Sequence, residues 1–142
     1  MKIEQFFKHN QLIPFYSSRG IELNDEFENK PEFSYILSEG DEFIAAITCS
    51  KIDSIYTIEA IAVKQQYERR KYGTKLLQYV IKIIQSLGSN KVYLNDKNTE
   101  FFVKNDFIVI QNDDVPEDLY SYCYNCPNYN KNCFPKTMRF QY

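Results

Sequence analysis

The segment covering residues 63–74 carries the residue types of an anion-binding site. It reads VKQQYERRKYGT and joins an apolar, strand-like stretch to an amphipathic, helix-like one. Arg69, Arg70 and Lys71 supply positive charge, and Gly73 would let a ligand approach the backbone. A helix beginning here would add free amides and the positive end of its dipole, which bind phosphate. We therefore predict a pyrophosphate cradle; a solvated basic turn with a helix-capping glycine is the alternative that the spacing leaves open.

Glu59 is a single carboxylate inside the apolar stretch 55–63, which reads IYTIEAIAV. Burial there would raise its pKa toward neutral and suit it to act as a general base. Strand alternation would place Glu59, Ile61 and Val63 on one face. The alternative is a solvent-facing glutamate paired with a lysine.

Three cysteines lie close together near the C-terminus, with the spacing C-x2-C-x6-C. Cys123, Cys126 and Cys133 could hold a zinc ion if His9, Cys49 or an aspartate supplied a fourth ligand. The alternative to zinc is three reduced cysteines in a compact loop. Disulfide bonds are not expected, because a cytosolic protein keeps its thiols reduced.

Composition narrows the class of protein. The 142 residues suffice for one domain, and 44% hydrophobic with 25% charged residues is typical of a globular chain. A formal charge of −2 argues against a nucleic-acid binder. No apolar run approaches the roughly 20 residues of a membrane span, and the start, MKIEQFFKHNQ, is too polar for a secretion signal. We expect a cytoplasmic protein with no membrane or nucleic-acid partner.

Hydrophobic periodicity predicts the elements that position these residues. We expect a short helix over 2–9, irregular chain over 10–31, and a meander of three strands over 33–38, 43–50 and 55–63.

The second half of the chain begins with an amphipathic stripe that predicts a helix. The further expected elements are a helix over 72–87 ended by Gly88, a strand over 91–95, a helix over 99–104 with Thr99 as N-cap, and strands over 107–111 and 136–142.

The predicted order of elements, β-β-β-α-β-α-β-β, favours an α/β (α+β) fold. A meander followed by a βαβ crossover gives a mixed, mostly antiparallel sheet flanked by helices. We expect residues 1–142 to form a single domain, with 112–135 as a Cys-rich loop before the last strand.

The stretch AVKQQYERRKYGTKLL resembles motif A of the GNAT family, the acyl-CoA-dependent N-acetyltransferases. That motif is an apolar strand ending in Val, then Arg/Gln-x-x-Gly-x-Gly/Ala, then a helix. Gly73 matches the last glycine, whereas Glu68 and Lys71 stand where Arg or Gln and the first Gly are usual. Residues 95–107 also resemble the family pattern Asn-x-x-Ala-x-x-Phe-Tyr-x-x-x-Gly-Phe, at Asn95, Phe101 and Phe107.

The resemblance covers about residues 33–111 and the last strand, and it suggests a small, bacterial-type member with a Cys-rich tail. It implies acetyl transfer from acetyl-CoA to a primary amine of a small molecule or amino acid, with Glu59 as catalytic base. Strand 55–63 would supply backbone amides to the pantetheine and the thioester carbonyl. The cofactor-binding residues would be Ile61, Ala62, Val63, Glu68, Arg69, Arg70, Lys71, Tyr72, Gly73, Thr74, Asn95 and Phe101.

The C-terminal tail bears on the acceptor. It resembles that of amino-acid N-acetyltransferases of the N-acetylglutamate synthase type, which hints at an amino-acid acceptor. The family builds its acceptor wall between the last two strands, and here that loop holds Asp113, Asp114, Glu117 and Asp118. An acidic mouth would favour a cationic amine; loop solubility is the alternative.

In the family pattern a tyrosine usually stands where it could protonate the leaving thiolate. The matching residue here is Phe102, which cannot donate a proton. Tyr93, Tyr67 or solvent could serve, or the step needs no acid.

The alternative function is a non-catalytic sensor or interaction module that binds acyl-CoA or a metal. An exposed final strand could pair across a homodimer.

Overall fold

A computed structural model describes the chain at residues 1–21, 23, 27, 30–96, 99–110 and 136–141. The strands are β1 Lys2–Phe6, β2 Pro31–Glu39, β3 Glu42–Ile52, β4 Ile55–Val63, β5 Lys91–Asp96, β6 Ile108–Val109 and β7 Lys136–Gln141. The helices are α1 Ile13–Ser18, α2 Tyr72–Ser86 and α3 Glu100–Lys104, with 3-10 turns at His9–Leu12 and Gln65–Tyr67.

The described strands form one sheet in the order β1-β2-β3-β4-β5-β7-β6. Every neighbouring pair is antiparallel except β4 and β5, which are parallel and joined by α2. The predicted mixed, mostly antiparallel sheet flanked by helices is thereby confirmed. Tight turns at Gly40 and at Asp53–Ser54, all with positive φ, connect the meander β2-β3-β4.

Helix α2 covers one face of the sheet with the apolar stripe seen in the sequence. Its buried residues are Gly73, Leu76, Leu77, Val80, Ile81 and Ile84. Gly88 follows the helix with φ of 96°, the left-handed conformation that favours glycine after a helix end. No helix in the described ranges is both long and apolar enough to span a membrane.

The predicted helix over residues 2–9 is wrong, because the first residues form the edge strand β1. Lys2–Phe6 pairs with Ser34–Ser38 of β2, and this partner supplies hydrogen bonds that an isolated helix of this length could not match. The expectation of irregular chain over 10–31 is wrong in part, because it contains α1. Pro14 fits the first turn of α1, and Gly20 follows its end with φ of 85°.

Smaller differences concern the second half of the chain. The strand expected over 107–111 is only the two residues of β6. Thr99 occupies the N-cap position of α3 but makes no capping hydrogen bond with its side chain. The predicted loop 112–135, including its four acidic residues, lies outside the described residues.

A chain of hydrogen bonds holds the N-terminal segment on the other face of the sheet. His9 Nδ1 lies 2.7 Å from Ser34 Oγ, which lies 2.7 Å from Thr48 Oγ1, and Thr48 shares a 2.8 Å bond with the Tyr16 hydroxyl. Tyr16 is fully buried, and burial raises its pKa well above the usual range. The phenol therefore stays neutral, and α1 is fixed to β2 and β3.

Acid should weaken this attachment. Burial lowers the pKa of His9, so on acidification the unfolded chain takes up a proton before the folded one does. The His9 contribution to stability is present above the unfolded pKa of about 6.5 and is lost as the pH falls toward the lower folded value. We expect the free energy of unfolding to fall more between about pH 8 and about pH 5 in the native chain than in His9→Gln. Urea denaturation at both pH values measures this, and equal losses in the two proteins would contradict it.

Candidate functional site

A cleft of about 1050 Å³ opens between β4 and β5. In the described structure, Thr57 and Tyr93 form the one backbone pairing between these two strands, whereas β4 stays paired with β3 as far as Val63. The C-terminal half of β4 therefore diverges from β5. The start of α2 and the helix α3 line the rest of the cleft.

A β-bulge at Glu59 marks the start of the divergence. Thr48 pairs with Ala60 and Cys49 pairs with Ile58, so Glu59 is the extra residue on β4. A bulge bends its strand and increases the local twist, which helps to separate β4 from β5. The bulge also leaves Glu59 half-buried on the wall of the cleft.

The direction of the β4 amides follows from the ladder with β3. The Lys64 amide donates to the Ile44 carbonyl at 2.8 Å. Because amides alternate in direction along a strand of an antiparallel pair, the Ala62 amide also faces β3. The amides of Ile61 and Val63 face the other way, toward the side from which β5 has withdrawn.

The loop before α2 lines the cleft with two residues in the left-handed backbone region. Arg69 and Lys71 have φ of 66° and 65°, a conformation that costs non-glycine residues about 1–2 kcal/mol each. Backbone turns of alternating hand direct successive amides into an anion-binding concavity. The helical ladder begins with the Lys75 amide donating to Lys71, so the amides of residues 72–74 precede it.

Gly73 sets how closely α2 approaches the sheet. A Cβ on Gly73 would lie 3.3 Å from Val63 Cγ2 and 3.4 Å from Phe101 Cε1. These contacts are tighter than ordinary packing, so the missing side chain admits Val63 and Phe101 beside the first turn of α2. The sequence predicts close approach of a ligand at Gly73; the structure adds close approach of two cleft-lining side chains.

Charges of both signs surround the cleft. The cationic residues on its wall are Arg19, Arg69, Lys71 and Lys104, and the acidic ones are Glu59, Glu68, Asp96 and Glu100. Arg19 and Glu68 form an ion pair, and Lys104 pairs with Glu100 at 3.2 Å.

The Glu59 carboxylate lies where the cleft wall meets the core. The Thr57 hydroxyl donates a long hydrogen bond of 3.5 Å to Glu59 Oε1. Burial, and secondarily the charge of Glu59, raise the pKa of the fully buried Cys49 thiol. The carboxylate thus faces both the cleft and an apolar interior.

Most of the residues predicted for the site meet on this cleft. Its wall includes Glu59, Ile61, Ala62, Val63, Glu68, Arg69, Lys71, Tyr72, Gly73, Thr74, Asn95 and Phe101. Asn95 Oδ1 accepts a 2.6 Å hydrogen bond from Thr137 of β7. Arg70 does not line the cleft; its guanidinium lies over the Tyr67 ring, 5.6 Å from the centroid.

Several cleft residues were not found from the sequence. These include Arg19, Gly20, Ile21, Gln78, Asp96, Glu100, Lys104 and Asn105. Arg19 follows α1, whose Pro14 near the start and Gly20 after the end were a signal for a helix in a segment read as irregular.

Of the proton donors considered, only Tyr67 lines the cleft in the described structure. Tyr93 is buried beside Ile110, and Phe102 is buried in contact with Phe101 and Phe107.

The predicted zinc ligands Cys123, Cys126 and Cys133 lie outside the described residues. Of the suggested fourth ligands, Cys49 is fully buried in the core and His9 bonds Ser34. The described ranges contain no cluster of three His, Cys, Asp or Glu side chains that could hold a metal ion.

Residues 2–107 match the model of the acetyltransferase (GNAT) family. An N-acetylglutamate synthase from Neisseria gonorrhoeae, solved with coenzyme A and N-acetyl-glutamate, is similar at TM-score 0.74 and 19% identity over 99% of this chain and 34% of that chain. This chain thus spans about a third of the synthase.

Two further structures share the fold. An acetyltransferase of the GNAT family from Staphylococcus aureus has TM-score 0.69 and 16% identity, over 99% of this chain and 98% of that chain. A putative streptothricin acetyltransferase from Bacillus anthracis, in complex with acetyl coenzyme A, has TM-score 0.62 and 16% identity, over 84% of this chain and 67% of that chain.

The packing at Gly73 can be tested by adding volume. We expect Gly73→Val to lower the free energy of unfolding by about 1–3 kcal/mol, because its methyl groups would overlap Val63 and Phe101. Thr74→Val is the control, since it puts the same side chain at the next position, which is only half-buried. Urea denaturation compares them, and a Gly73→Val protein as stable as the native chain would contradict the packing.

Proposed function

Because the chain belongs to the GNAT acetyltransferase family, we propose that it transfers the acetyl group of acetyl-CoA to a primary amine of a small molecule or amino acid. The family match and the coenzyme A complexes of its structural neighbours support acetyl-CoA as the acyl donor. One observation carries the proposal: the cleft between β4 and β5 is lined by a basic loop before a helix and by a half-buried carboxylate on β4.

The loop and the start of α2 would hold the pyrophosphate. The amides of residues 72–74 precede the helical ladder, and the positive end of the helix dipole faces the same place. Arg69 and Lys71 line the cleft beside them. The donor set is therefore suited to an anion at this end of the cleft.

Strand β4 would hold the pantetheine and the thioester. The amides of Ile61 and Val63 face away from β3, and a pantetheine amide is a natural partner for an open strand edge. An amide directed at the thioester carbonyl would stabilise the negative charge that develops on its oxygen. Bound acetyl-CoA supplies an activated acyl group; the strand supplies its orientation. The Ala62 amide faces β3, so this role falls to Ile61 and Val63.

Glu59 would accept the proton of the acceptor amine. An alkyl amine is largely protonated near neutral pH, and the nitrogen must lose a proton before or during attack on the carbonyl. The bulge places the Glu59 carboxylate on the cleft wall next to the strand edge that would hold the thioester. The proton could pass directly or through one water molecule.

The acceptor is proposed as a small molecule that carries an amino group. The synthase from Neisseria gonorrhoeae was solved with N-acetyl-glutamate, the acetylated form of an amino acid. Here the N-terminal segment contributes Arg19, Gly20 and Ile21 to the cleft wall. Tyr67, also on that wall, or solvent would return a proton to the leaving thiolate.

A second candidate is a protein that binds acyl-CoA without turnover. Phe102 favours it, because the side chain at this position is a buried phenylalanine with no proton to give. A protein of this kind would bind acetyl-CoA and release no thiol with any amine of a broad panel.

Replacing Glu59 with neutral glutamine tests its proposed role as the general base. With an acceptor found by such a panel, we expect Glu59→Gln to lower kcat/KM by about 10²- to 10⁴-fold, the usual contribution of a general base. Its dissociation constant for CoA should change by less than about twofold, since the carboxylate does not hold the cofactor. Thiol release measures the first quantity and calorimetry the second.

The matched control is Glu100→Gln, which removes another cleft carboxylate, here an exposed one that pairs with Lys104. Equal rates in native protein and Glu59→Gln, or an equal loss in Glu100→Gln, would remove Glu59 from the mechanism.

The three consecutive cations allow a second test. We expect Arg69→Gln with Lys71→Gln to weaken CoA binding by about tenfold or more at low salt, because both cationic residues line the cleft. Arg70→Gln is the control, since Arg70 lies over Tyr67 outside the cleft lining. Calorimetry measures the dissociation constants. If Arg70→Gln weakens CoA binding as much as the double variant does, the proposed binding position of the pyrophosphate is wrong.

A further inference from the structure

The Arg19 side chain joins three parts of the site. The residue caps the C-terminal end of α1. Its Nε donates a 3.0 Å hydrogen bond to the carbonyl of Val63, the last residue of β4. One of its terminal nitrogens pairs with Glu68 Oε1, at the start of the loop before α2. Neither the sequence motif nor the comparisons assign Arg19 a role.

The position of Glu68 explains why such a contact matters. Glu68 precedes Arg69 in the loop that would receive the pyrophosphate, and both residues line the cleft. An unpaired carboxylate there would repel the phosphates and offset one of the two cations beside it. The family motif usually has Arg or Gln at this position, so this chain carries a charge that its cofactor site must neutralise.

The ion pair does little for stability by itself. The Arg19 side chain is 25% exposed and that of Glu68 46% exposed, and exposed pairs contribute about 0–1 kcal/mol. The pair matters more for anion binding than for stability, because it neutralises a charge beside the proposed anion site.

We propose that Arg19 is a positioning residue for acetyl-CoA, acting through Glu68: the guanidinium neutralises Glu68 and fixes its loop against the open end of β4. Arg19 is not a ligand of the phosphates in this account. Two of its nitrogens already serve Val63 and Glu68, and the fork geometry of the guanidinium lets one side chain meet both acceptors. This inference rests on the proposed use of acetyl-CoA.

A double-mutant cycle tests the inference. The proteins are the native chain, Arg19→Gln, Glu68→Gln and the double variant, and the probe is CoA, titrated by calorimetry at low and at high salt. We expect Arg19→Gln to weaken CoA binding by about tenfold at low salt and by less at high salt. Glu68→Gln should bind at least as tightly as the native chain, and the double variant should bind within about twofold of Glu68→Gln.

Two comparisons separate this role from others. Pantetheine lacks the phosphates, so its affinity should be the same for Arg19→Gln and the native chain. Lys104→Gln removes another cleft cation, but Lys104 pairs with Glu100 and not with Glu68. Adding Glu68→Gln should therefore not restore any affinity for CoA that Lys104→Gln loses.

Four results would overturn the inference. A loss in Arg19→Gln that Glu68→Gln does not restore would make Arg19 a direct ligand. An equal loss for pantetheine would make it a structural support of β4. No loss at all would leave it without a role in binding. If the native chain fails to bind CoA, the proposed function itself fails, and that outcome is distinct from the first three.

Discussion

Strand β4 keeps its pairing with β3 to its end but meets β5 through a single described bridge, Thr57 to Tyr93, and the rest of the site depends on this divergence. A strand that stayed paired on both sides would have no open amides and no adjoining space. The bulge at Glu59 bends β4 at the start of the divergence. One irregularity in the backbone thus helps to open the cleft and places its carboxylate on the wall.

The elements around the open edge are joined to it by contacts from outside the sheet. On one face, α2 packs closely at Gly73, and its start completes the cleft. On the other, the hydrogen-bonded chain from His9 to Tyr16 fixes the segment that carries Arg19. Arg19 then donates a hydrogen bond to the carbonyl of Val63, which is not paired with β5. The N-terminal segment is therefore part of the site as well as of the fold.

The sequence predicted those features that depend on local patterns. The stripe of α2, its end before Gly88 and the bounds of β4 follow from periodicity, and the motif named residues of which all but Arg70 lie on the cleft. The features it missed depend on contacts distant in sequence. Strand β1 exists because β2 offers an edge, and the Arg19–Glu68 pair joins positions that only the fold brings together. The bulge at Glu59 leaves no mark in IYTIEAIAV, because it is a mismatch of register with β3.

The central claim, that acetyl-CoA lies in the cleft against the open edge of β4, can be tested by residue-resolved hydrogen exchange with and without acetyl-CoA. The account predicts that acetyl-CoA slows exchange at the amides of Ile61, Val63 and Gly73, and changes little at Ala62, whose amide already faces β3. Exchange that stays the same at Ile61, Val63 and Gly73 in saturating acetyl-CoA would contradict it.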